Sequence, residues 1–91
     1  MKKSIRLFVT GSVQTMFFEN YIKENAEKLK VKGYLRKLED GRTEIFLEGD
    51  NLKVDEMTAI CKRGSQHTQI RKVEVQPERF QGFSEFKILK I

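Results

Sequence analysis

Alternation opens the chain. Between Ser4 and Thr10, Ile5, Leu7 and Val9 fall on one side and Arg6, Phe8 and Thr10 on the other, which predicts a half-buried strand with Phe8 as a large apolar residue on the wet face. From Phe17 to Leu29 the period lengthens. Phe18, Tyr21, Ile22, Ala26 and Leu29 recur at spacings of three and four while Glu19, Lys23, Glu24, Glu27 and Lys28 take the opposite side, so an amphipathic helix is expected. Lys30 to Leu38 alternates again, with Val31, Gly33 and Leu35 on one side and Tyr34 and Arg36 on the other. Asp40-Gly41 is a turn signal, and alternation resumes from Arg42 to Leu47 through Thr43, Ile45 and Leu47. Those two runs read as a hairpin.

Glu48, Gly49, Asp50 and Asn51 are expected to break the strand and to supply Asp50 or Asn51 as an N-cap. Leu52, Val54, Met57, Ile60 and Cys61 follow at helical spacing, and Lys62, Arg63 and Gly64 give a basic last turn and a glycine stop, so a second helix spans 51–63. Val73 and Val75 carry a strand from Ile70 to Gln76, with Ile70 out of register and Pro77 closing it. A last strand runs from Phe83 to Ile91 with Phe86 and Ile88 inward. The order is βαββαβ with one extra C-terminal strand. That order predicts an α+β, ferredoxin-like sandwich: a five-stranded, mainly antiparallel sheet with two helices on one face.

Ninety-one residues are enough for one domain, 1–91, and too few for two cores. The charged fraction of 34% is dispersed, so the formal charge of +5 reads as solvated faces more readily than as a phosphate track, and nucleic acid is not the expected partner. One cysteine, Cys61, and one histidine, His67, cannot make an internal disulfide or a metal site alone. The N-terminus lacks the run of roughly seven or more apolar residues of a signal peptide, and no stretch approaches the ~20 apolar residues of a membrane span. A soluble, cytoplasmic monomer is expected.

The segment from Gly11 to Glu19 lies between a strand pattern and a helix pattern, where backbone N–H groups and the positive end of a helix face any anion above them. Gly11, Val13, Gln14 and Phe18, then Gly33, Arg36, Asp40, Gly41 and Glu44, then Gly64, Phe86 and Ile88, together resemble the acylphosphatase family over nearly the whole chain. The family pattern is Gly-x-Val-Gln-Gly-Val-x-Phe-Arg, followed by Gly-Trp-Val-Arg-Asn-x-x-Asp-Gly-x-Val-Glu. The resemblance implies hydrolysis of acyl phosphates without metal, cofactor or covalent intermediate. It also implies that Val13, Gln14, Thr15, Met16, Phe17 and Phe18 supply the phosphate-binding segment, that the residue at position 19 grips the phosphoryl oxygens, and that the residue at position 37 orients water.

Both functional positions depart from the pattern. Glu19 stands where the family has arginine and Lys37 where it has asparagine. A carboxylate in place of a guanidinium replaces attraction with repulsion, each contact being worth about 4 kcal/mol at ~4 Å and an effective dielectric of ~20 before desolvation. Activity is expected to be weak or absent, with Glu19 and Lys37 paired across the site. In a rival arrangement Lys37, with Arg36, stands in for the missing arginine and the Gly11–Phe18 loop holds the phosphate, although lysine lacks the bidentate fork. Thr15, at the family's second glycine, is strained if the loop needs positive φ there. A different class, a non-catalytic interaction module, rests on the same fold. Conventional RNA recognition on the sheet face is disfavoured by Glu44 and Glu48 beside Phe46, although Phe8 and Phe46 form a candidate apolar patch there.

Overall fold

The computed structural model describes residues 1–12, 15–65 and 68–90. Among them the elements follow in the order β1 (Lys2–Ser12), α1 (Thr15–Leu29), β2 (Lys32–Lys37), β3 (Thr43–Asp50), α2 (Asn51–Arg63), β4 (Gln69–Pro77) and β5 (Phe86–Leu89). The strands make one sheet in the order β4-β1-β3-β2-β5, antiparallel at each neighbour except the parallel pair β2 and β5. This is the ferredoxin-like sandwich with an added edge strand. Period-two alternation sends Ile5, Leu7, Val9, Leu35, Ile45 and Leu47 to the helix-covered face, where Phe18, Ile22 and Ala26 of α1 and Val54, Met57, Ile60 and Cys61 of α2 join them.

Several boundaries differ from those the pattern predicts, each for a local reason. Lys30 and Val31 are not strand. Lys30 takes a left-handed φ of 58°, and the Val31 N–H donates to the Ala26 carbonyl at 2.9 Å, so both residues end α1 in a Schellman turn. β3 does not break at Glu48. It runs on to Asp50 because β1 extends back to Lys2 and offers Ser4 opposite Glu48 and Lys3 opposite Gly49. Asp50 still caps α2, accepting from the Lys53 N–H at 3.4 Å, and Gly64 ends that helix at φ 72°. Ile70 is out of register because the ladder shifts between Thr10 and Gly11, leaving Arg71 as an extra residue, and the shift packs Ile70 against the core with Val73.

The face away from the helices is less open than the pattern implies. β4 and β5 lie at opposite edges of the sheet, so the chain from Glu78 to Glu85 has to cross between them. Four strand spacings are roughly 19 Å, within reach of eight extended residues. This strap is anchored by Glu48, whose carboxylate accepts from the Gln81 N–H at 2.8 Å and the Phe83 N–H at 2.6 Å. Phe83 therefore belongs to the strap rather than to the last strand. Its ring packs at 5.6 Å between centroids on both Tyr34 and Phe46, which stack on each other, while Phe8 lies under the Arg42 guanidinium at 4.8 Å. The candidate Phe8–Phe46 patch is thus divided between two neighbours. Glu44 and Glu48 share this face with Phe46 but all three are buried.

Candidate functional site

The site is built where β1 hands over to α1. β1 runs to Ser12 and α1 begins at Thr15, so the expected loop of Gly11 to Glu19 contracts and most of its second half becomes helix. The first four N–H groups of a helix have no partner within it, which here are those of Thr15, Met16, Phe17 and Phe18. They sit at the positive end of the helix dipole. The first turn of α1 therefore opens on amides whose acceptors do not lie within the helix. Thr15 adopts the helical backbone that opens α1, so the strain expected of a positive φ does not arise at that position. Met16 and Phe17 are exposed on the first turn, whereas Phe18 is a core side chain, so it can contribute to the site only through its backbone. Val13 and Gln14 lie outside the described residues, as do Gln66, His67 and Ile91.

Glu19 follows one turn into α1, and its side chain is only 8% exposed. Its carboxylate accepts from Lys90 Nζ at 2.8 Å, and Lys90 directly follows β5. The predicted pair between Glu19 and Lys37 is not formed. Lys37 ends β2, is exposed, and has no ion-pair partner among the described residues. The parallel register that sets Arg36 opposite Leu89 brings Lys37 and Lys90 side by side at the ends of two adjacent strands, and α1, which carries Glu19, packs on the strand that Lys90 follows. Both cations reach the same end of the sheet, and α1 leans on β5 there. Nothing in the local sequence announces a contact across 71 positions.

Arg36 lies on the sheet face away from the helices, with Glu44. Its Nε donates to Glu44 Oε1 at 2.6 Å, Tyr34 Oη donates to Glu44 Oε2 at 2.6 Å, and Arg6 Nε lies 3.2 Å from the same oxygen without the alignment of a hydrogen bond. Burial pushes the Glu44 carboxyl up, but the bonds from Tyr34 and Arg36 and the charges of Arg36 and Arg6 outweigh it and hold it below the ordinary value. Burial, and then the bond to Glu44, raise the Tyr34 phenol. The bond to Glu44 raises Arg36 in turn. This cluster ties β1, β2 and β3 together on the sheet face. Its chemistry is structural.

Burial lifts the Cys61 thiol to about 12, so it stays protonated in the core and is no nucleophile. Among the described residues no group of three or more His, Cys, Asp or Glu is placed to hold a metal ion, and no helix is long and apolar enough to cross a membrane.

Comparison with known proteins bears on the same elements. The family model described as Acylphosphatase matches residues 5–88. The acylphosphatase of Rubrobacter xylanophilus is 41% identical over 80 residues, covering 88% of this chain and 73% of that protein. The acylphosphatase of Syntrophobacter fumaroxidans is 38% identical over 88 residues, covering 96% and 91%. The crystal structure of acylphosphatase from Bacillus subtilis superposes with a TM-score of 0.90 at 28% identity, covering 99% of this chain and all of that one.

Proposed function

We propose that this chain, which belongs to the acylphosphatase family, keeps the family scaffold but hydrolyses acyl phosphates weakly or not at all. The family reaction moves a phosphoryl group to water through a transition state whose charge is spread over three equatorial oxygens, so it depends on positioning and on positive charge around them. The observation that carries the proposal is Glu19. At the position of the family arginine it places a carboxylate that is almost fully buried and already bonded to Lys90. A phosphoryl group brought to the amides of Thr15 to Phe18 meets that carboxylate. Lys90 offsets part of its charge and supplies no bidentate fork.

Lys37 compounds the loss. An ammonium has three donors and no acceptor, so it cannot accept a hydrogen bond from a water O–H and orient that water as an amide carbonyl does. One observation favours a second reading, a working acylphosphatase that binds phosphate through Lys37 and the Gly11–Phe18 segment: with Glu19 satisfied by Lys90, Lys37 has no ion-pair partner among the described residues. Hydrolysis of acetyl phosphate separates the two. Turnover close to the uncatalysed rate in matched buffer is expected. A rate far above background that falls on Lys37→Ala would instead establish the second reading.

A further inference from the structure

Thr43 opens β3 and is paired on both sides, with Val9 of β1 and with Lys37, the last residue of β2. Opposed residues of an antiparallel pair share a sheet face, so Thr43 lies with Val9 on the helix-covered side, whereas its neighbour Glu44 lies with Arg36 on the other. This is the end of the sheet where β1 gives way to α1 and where Lys90 meets Glu19. Thr43 is only 3% exposed. The family pattern has valine at this position, so a buried methyl has become a hydroxyl. That exchange is not neutral in an interior, because a buried hydroxyl costs stability unless it is bonded. Strand side chains stand across the sheet, which turns this one toward the helix layer.

We propose that the Thr43 hydroxyl supplies the acceptor lost at position 37 and orients the attacking water in the weak hydrolysis this chain retains. Directly opposed residues hold their Cβ atoms about 4.5–5.5 Å apart, so Thr43 reaches the same water as a side chain at position 37. A hydroxyl has two acceptor lone pairs, where the Lys37 ammonium has donors alone. One water O–H donates to Thr43 Oγ1. The water oxygen bonds to phosphorus as the bond from phosphorus to the acyl oxygen breaks, the carboxylate leaves with the electron pair, and both protons stay with the phosphate formed. Thr43 ends as it began, and Lys37 is left to face the phosphoryl oxygens. The inference rests on the reading that Glu19 disables the site, and adds that Thr43 offsets most of the loss at position 37.

Acetyl phosphate hydrolysis by variants of the full chain tests this. Glu19→Arg is expected to come within ~threefold of Glu19→Arg/Lys37→Asn, because each chain has an acceptor for the water. Adding Thr43→Val to Glu19→Arg is expected to lower kcat at least ~tenfold and to change KM less than ~twofold, since the water and not the phosphate loses a contact. Thr43→Ser in the same chain keeps the hydroxyl and is expected to hold kcat within ~threefold. In Glu19→Arg/Lys37→Asn the amide carbonyl is back, and Thr43→Val is expected to cost less than ~twofold there. A Glu19→Arg chain at background beside an active Glu19→Arg/Lys37→Asn chain, or an equal loss from Thr43→Val in both, would overturn the inference alone. No hydrolysis by either chain would overturn the reading beneath it, and the inference with it.

Discussion

Glu44 shows what a single buried acid does in this fold. Because its folded carboxyl is held below the ordinary value, its contribution to stability is fully present above that value of 4.5 and is lost as pH falls through the folded one. Glu44→Gln removes this dependence and leaves Arg6 and Arg36 facing a neutral amide. The variant is expected to lose roughly 1–3 kcal/mol at neutral pH, and to lose less stability than the parent on acidification below pH 4.5, read by urea unfolding across a pH series. Glu44 and Arg36 were legible as motif positions, but their bond was not, since alternation assigns a face and says nothing of partners. For Glu19 the sequence suggested Lys37 as the partner, and the structure pairs it with Lys90 instead. Lys37 is nearer in the chain, yet α1 packs on β5, and it is the lysine after β5 that arrives.

At the scale of elements, the strap from Glu78 to Glu85 depends on Glu48 more than on any strand. Its amides at Gln81 and Phe83 end on one carboxylate that is 1% exposed. Glu48→Ala is expected to cost roughly 2–3 kcal/mol and to release the Gln81 and Phe83 amides to fast hydrogen exchange, while the amides of α2 keep their protection. Gly33 is the other fixed point. At φ 140° a Cβ there would fall on the Phe46 carbonyl of the neighbouring strand, so Gly33→Ala is expected to destabilise by roughly 2–3 kcal/mol or to prevent folding, as thermal unfolding would record. Helix α2 was readable to the residue because its cap, stripe and glycine stop agree. The strap was not, since a segment with Gly82 and no period carries no signal of the face it covers.

Across the whole molecule, the fold and the family were legible because hydrophobic period, turn residues and motif spacing point to one arrangement. The site was legible only in its departures. On the proposed reading the difference lies in a reversal of charge, since Glu19, one turn into α1, places a buried carboxylate where the sequence pattern of the family has arginine. The rate of acetyl phosphate hydrolysis by Glu19→Arg/Lys37→Asn, set against that of the unaltered chain, tests this most directly. Restoring the guanidinium and the amide is expected to raise the rate by at least ~tenfold, since even ~1.4 kcal/mol of recovered transition-state stabilisation has that effect. A parent chain that already turns over rapidly, and is slowed by the same double change, would contradict the account.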